Sequence, residues 1–135
     1  MELIQIYSCL CERTRLRIIN LLTGGPLCVC HFQEILDEPQ VKISKHLNYL
    51  KQHGLVHAKR EANWMVYSLP PNPSRELQVH LACLQDCRSE EPVLRKDSES
   101  LARLRKKFES SSPICCADQR CSPKGVTSKR IIAAK

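Results

Sequence analysis

Apolar positions recur at helical spacing through the first half of this chain. Leu3, Ile4, Ile6, Tyr7 and Leu10 suggest a short opening helix. In ERTRLRIINLL (Glu12 to Leu22), Leu16, Ile18, Ile19, Leu21 and Leu22 form a broad stripe with arginines on the other face, and Gly24-Gly25-Pro26 ends it. CHFQEILDEP places Phe32, Ile35 and Leu36 on one side of a short helix that Pro39 limits. QVKISKHLNYLKQHG follows with Ile43, Leu47 and Leu50 at i, i+4, i+7, leaving Lys42, Ser44, Lys45, His46, Asn48 and Lys51 off the stripe. Gly54 stands where a helix end favours a left-handed residue.

The period then changes. In LVHAKREANWMVYSL, Val56 and Ala58, then Val66 and Ser68, alternate with polar or aromatic neighbours around a polar KREANW, which predicts a β-hairpin with a basic tip. PPNPSRELQVHLACLQDC opens with prolines and continues as a helix. Leu77, Leu81 and Leu84 make one stripe, and Val79, Cys83 and Cys87 a second beside it. Apolar residues over more than half the circumference suit a helix buried on two sides, as in a dimer interface. Past Pro92, Leu94, Leu101, Leu104 and Phe108 form a thin stripe among charges and predict an exposed helix. From Ser110 onward the chain is aperiodic and contains Ser and Pro, as in a flexible tail. No internal repeat is visible.

Charge sharpens this picture. The 135-residue chain carries a net +7, unevenly spread: +4 over residues 12–60, −3 over 61–94 and +7 over 95–135. A basic balance suits nucleic acid but is weak by itself. The N-terminus does not read as a secretory signal, and no stretch approaches the roughly 20 apolar residues of a membrane span. A cytosolic chain with reduced thiols and no membrane partner is expected. Its nine cysteines fall in clusters, Cys9/Cys11, Cys28/Cys30, Cys83/Cys87 and Cys115/Cys116/Cys121. In a reducing compartment such clusters point to metals, metalloids or redox sensing. An enzyme is not expected: there is no Gly-rich phosphate loop, no CxxC beside a βαβ pattern, and no Ser/His/Asp or paired-carboxylate arrangement.

Two adjacent helices, the second polar-faced, followed by a basic hairpin, make a winged helix-turn-helix. The expected fold is mainly α with a β-hairpin. Residues 1–90 would form the DNA-binding and dimerisation domain, and residues 91–135 a basic, Cys-containing C-terminal extension. The second helix of such a pair fits a major groove, and the hairpin's Lys59 and Arg60 can reach the backbone or an adjacent minor groove. The competing reading is an ordinary small α/β domain with a solvated basic face.

The blocks TRLRIINLL, LCVCHFQEIL, VKISKHLNYLKQHGLV and KREANWMVYSL resemble the successive blocks of the arsenic-responsive (ArsR/SmtB) family of metal-sensing repressors, over roughly Leu3 to Cys87. The resemblance implies a homodimeric repressor that binds a near-palindromic operator and releases it when a metal or metalloid binds. By position, VKISKHL matches the family's recognition helix, which makes Gln40, Lys42, Ser44, Lys45 and His46 the candidate DNA contacts. Lys59 and Arg60 match the wing.

The same resemblance favours ligation over core packing at Cys28 and Cys30. Thiolates select soft acceptors, including trivalent arsenic or antimony, and also cadmium or lead. A helix N-terminus lowers thiol pKa and suits such a site. Residues i and i+2 on a helix point about 200° apart. Either Cys28 precedes the helix, or ligation unwinds its first turn; the second is the expectation here. Gln33 stands where the family's arsenic pattern has a third thiol, and His31 where it has an acid. His31 is read as solvent-facing. Cys9 and Cys11 could complete a four-thiolate site with Cys28 and Cys30, as in the cadmium/lead-sensing branch, or simply pack between helices. Cys115, Cys116 and Cys121 are the next candidate ligands, since three thiols within seven residues can converge on one centre. Cys83 and Cys87, one turn apart, suit a shared ligand or a dimer core. Rival readings are a thiol redox-sensing repressor of the same fold, a thiol-dependent reductase, and a DNA-packaging protein without sequence preference.

Overall fold

The computed structural model describes residues 3–61 and 64–109. Six helices and three short strands follow in the order α1 (Leu3–Leu10), α2 (Arg13–Leu22), β1 (Leu27–Cys28), α3 (Val29–Leu36), α4 (Gln40–Gln52), β2 (His57–Glu61), β3 (Trp64–Ser68), α5 (Arg75–Cys87) and α6 (Pro92–Glu109). The strands form one antiparallel sheet in the order β1-β3-β2. This is the winged helix-turn-helix expected from the periodicity, with one strand more than the hairpin.

The helices start and stop for local reasons. Glu12 caps α2, its carboxylate accepting the Arg15 backbone N–H at 3.1 Å. Ser74 caps α5 by accepting from the Leu77 N–H. α3 ends at Asp37, whose φ of 55° is left-handed, and Pro39 is the N-cap of α4. Residues 37–39 therefore form the tight turn between the two helices. α4 closes with Gly54 at φ 79°, the Gly54 N–H bonding to the Lys51 carbonyl and the Leu55 N–H to the Leu50 carbonyl. These are the paired bonds of a Schellman motif, and Leu50 and Leu55 are both buried beneath it.

The core lies where the helical stripes converge. Ile6, Ile18, Ile19, Leu21, Phe32, Ile43, Leu47, Leu50, Leu55 and Leu77 are fully enclosed. Each such side chain contributes roughly 1.5–3 kcal/mol by leaving water. Leu77 and Leu84 are buried on α5, but Val79, Cys83 and Cys87 of its second stripe are exposed.

Two expectations change. The arginines opposite the α2 stripe are not all solvated: Arg13 is exposed, but Arg15 and Arg17 are half-buried. Arg15 donates from Nε to the Cys9 carbonyl at 2.9 Å and from a terminal nitrogen to the Ser8 carbonyl, and its guanidinium lies 4.2 Å from the Tyr49 ring centroid. It thus ties the end of α1 to α4. Arg17 makes a two-pronged pair with Asp97 at 2.7 and 2.9 Å. Nor is α6 an exposed helix. It packs against α2 and α3, burying Leu94, Leu101 and Leu104. Asn20 joins the same seam, donating to the Leu94 carbonyl and accepting from Arg88 Nε at 2.8 Å, while Arg88 also donates to Thr23 Oγ1.

Candidate functional site

α4 offers two unlike faces. Ile43, Leu47 and Leu50 are inside, and Val41, Lys42, Lys45, Asn48, Lys51 and Gln52 are exposed. Gln40 and Ser44 are half-buried along its border. Lys42 pairs with Glu38 at 3.1 Å, both on the outside. His46 differs from the other expected contacts. Its side chain is only 15 % exposed, with Nδ1 3.7 Å from the Glu12 carboxylate. Burial pushes the His46 imidazole below its ordinary pKa, although Glu12 pulls the other way. Burial also raises the Glu12 carboxyl, but the Arg15 and Thr14 backbone N–H groups outweigh it and hold Glu12 below the usual carboxylate range. His46 is therefore seated against the start of α2, and exposed Asn48 is a surface polar group that sequence reasoning left out of the contact set.

On the hairpin, Lys59 and Arg60 lie within β2 rather than at the turn, opposite Val66 and Met65 of β3. Both are exposed. As neighbours along a strand they project to opposite faces. Lys59 Nζ stands 3.8 Å from Glu61. Lys42, Lys45, Lys51, Lys59 and Arg60 are thus the cations exposed on α4 and β2, after Arg15 and Arg17 have been committed to internal ties.

The thiols are arranged around β1. Cys28 is extended (φ −91°, ψ 167°), is the N-cap of α3, pairs with Val66 of β3, and is 3 % exposed. Cys30 lies inside the first turn of α3 and is half-buried. Cys28 thus precedes the helix, the first of the two arrangements the spacing allowed and not the favoured one. His31 is not solvent-facing either: it is 8 % exposed, and its Nδ1 accepts the Cys28 backbone N–H at 3.0 Å. That bond satisfies the backbone N–H of the N-cap residue, one of the donors at a helix start that has no partner within the helix. β1 escaped sequence reasoning because two residues carry no period; the adjacent apolar Leu27 and Cys28 were its only trace.

The other cysteines are scattered. Cys9 is enclosed, and burial pushes its thiol up with Arg15 opposing, whereas Cys11 is exposed. Among the described residues, no group of three or more His, Cys, Asp or Glu side chains is placed to hold a metal ion. The four-thiolate set Cys9, Cys11, Cys28 and Cys30 is therefore not assembled within this one chain. Cys83 and Cys87 line a cleft of about 640 Å³ between α1, α2, α5 and α6, with Tyr7, Cys11 and His80. A hydrogen bond with Cys83 pushes the Cys87 thiol above its ordinary value. Cys115, Cys116 and Cys121 lie outside the described residues. No helix among the described residues is long and apolar enough to cross a membrane.

Comparison with known proteins bears on this arrangement. Residues 12–58, which run from the cap of α2 into β2, match the family described as "Bacterial regulatory protein, arsR family". The chain is 32% identical over 113 residues to the arsenic resistance transcriptional regulator ArsR1 of Pseudomonas putida, covering 83% of this chain and 85% of that protein. It is 41% identical over 70 residues to the arsenical resistance operon repressor of Escherichia coli, covering 51% of this chain and 60% of the relative. Among solved structures, HlyU from Vibrio cholerae superimposes with a TM-score of 0.57 at 26% identity, over 64% of this chain and 90% of that one.

Proposed function

This chain belongs to the arsR family of bacterial regulatory proteins, DNA-binding regulators of transcription, and on that premise we propose that it is a metalloid-responsive repressor. As a homodimer it grips a two-fold operator with α4 and the hairpin. It lets go when trivalent arsenic or antimony is bound by cysteine thiolates. Two of the relatives are named for arsenic or arsenical resistance, which supports that inducer class.

One observation carries the reading: Cys28 is linked to both proposed DNA-facing elements. Through the backbone it leads into α3 and, by the turn at 37–39, into α4. Through the sheet it pairs with β3, the partner strand of the wing. Cys28 is only 3 % exposed, so ligation of its thiol is expected to displace β1 or the first turn of α3. Ligand binding at Cys28 and Cys30 thus selects a conformation in which these two connections are altered, and the preference of the ion for that state sets how far DNA affinity falls. Gln40, Lys42, Ser44 and Lys45 are the proposed contacts from α4, with His46 behind them; Lys59 and Arg60 are those of the wing. Cys115, Cys116 and Cys121 are a proposed second set of thiolates.

Dimerisation rests on a covered-face argument. Leu3, Ile4 and Tyr7 of α1 and Val79 of α5 are 47, 76, 56 and 58 % exposed. The two helices are in contact, with Tyr7 edge-on to His80 at 5.0 Å. Four exposed apolar side chains on two touching helices suit an association surface.

The reading is tested by footprinting and titration. A protected two-fold site is expected, with affinity falling steeply as salt rises, because phosphate contacts release counterions. Arsenite and antimonite should release it at lower concentration than cadmium or lead, and peroxide should not. Release led by cadmium and lead would move the reading to that branch. Release by peroxide alone would make the chain a redox sensor, and protection without a preferred site would make it a packaging protein.

A further inference from the structure

Five large apolar side chains are exposed among the described residues, and four of them, Leu3, Ile4, Tyr7 and Val79, belong to the α1/α5 face. The fifth, Val41, is 69 % exposed on the second position of α4. Nothing in folding favours valine there. It is β-branched, which lowers helix propensity, and it gives the core no buried area. It lies two positions before the enclosed Ile43, about 200° round the helix, so it points away from the core. Val41, Lys45, Asn48 and Gln52 follow at i, i+4, i+7 and i+11, one exposed row along the outer face. Exposed Lys42 and Lys51 flank it. An apolar group framed by lysines suits a polyanion that also carries a small apolar group on its surface. Duplex DNA is such a surface, because thymine places its 5-methyl in the major groove, where recognition helices insert their N-terminal residues.

We infer that Val41 reads the 5-methyl group of a thymine in each operator half-site. The inference rests on α4 being the reading helix, and it adds a specificity-determining contact that is neither a hydrogen bond nor a charge. A contact of this kind discriminates by desolvation of one methyl, which corresponds to about fourfold in affinity per half-site.

The test uses an operator selected by the wild-type chain from a random duplex pool, and a series of duplexes in which each thymine in turn is replaced by deoxyuridine. That replacement removes only the methyl and leaves the pairing edge intact. Wild-type protein is expected to lose about fourfold at each of two symmetry-related positions. Val41→Ala, which alters both half-sites, is expected to bind the thymine duplex about sixteenfold more weakly, to lose nothing further on deoxyuridine at those positions, and to keep at least the wild-type thermal midpoint and the affinity for unrelated DNA. The inference is overturned if no deoxyuridine duplex binds wild type more weakly, or if Val41→Ala loses as much as wild type at every position. Selection that yields no preferred duplex at all would instead remove the operator-binding reading on which it rests.

Discussion

Single residues carry much of the geometry, and some were readable in the chain. Gly54 was expected at the end of α4 because a helix commonly closes with a left-handed residue, and its φ is 79°. Gly54→Ala forces a Cβ into that region and is expected to cost about 1 kcal/mol, as a lower urea midpoint with an unchanged slope. An unchanged midpoint would mean the Schellman turn has relaxed. His46 was read as a DNA contact because it lies off the apolar stripe, but periodicity does not reveal that Glu12, 34 positions earlier in the sequence, would close over it. Its neutral form is favoured in the folded chain, so folding draws stability from it above its ordinary value of 6.5, and that stability is lost as pH falls and the unfolded state takes the proton. The thermal midpoint should therefore fall on mild acidification. In His46→Gln the fall should be smaller over the same range, and equal slopes would contradict the assignment.

At the level of elements, α2, α4 and the hairpin were legible because their apolar residues keep a strict period. α6 was legible as a helix but not as a buried one. Its inner face runs Leu94, Asp97, Leu101 and Leu104, so a carboxylate occupies a core position and breaks the stripe. Asp97 is acceptable there only because Arg17 meets it with two hydrogen bonds, a pairing across 80 residues that no local pattern shows. Removing one partner of a buried pair leaves the other uncompensated. Asp97→Ala is expected to lower stability by about 3 kcal/mol in denaturant unfolding, and the double variant with Arg17→Met to recover part of the loss. A fully additive double variant would show that the two side chains do not act together. β1, too short to show a period, left only two adjacent apolar residues as a trace, yet it is the strand that joins Cys28 to the wing.

For the whole molecule, the exposed second stripe of α5 and the exposed apolar residues of α1 support the proposed dimer. Ile4→Glu, placed on that face and away from the core, is expected to give monomers in sedimentation equilibrium and at least a tenfold weaker operator complex, since two half-sites no longer bind as one unit. A dimer of wild-type strength would move the interface elsewhere. The central claim joins the proposed dimer to Cys28, which pairs with β3 of the wing and caps α3, the helix that leads into α4. The most direct measurement is fluorescence anisotropy of the preformed operator complex, titrated with arsenite, for wild type, Cys28→Ser, Cys30→Ser and Cys116→Ser. Wild type should release its DNA, and Cys28→Ser and Cys30→Ser should bind DNA normally yet hold on through at least tenfold more arsenite. Release of DNA from those two variants at the wild-type arsenite concentration would contradict the account.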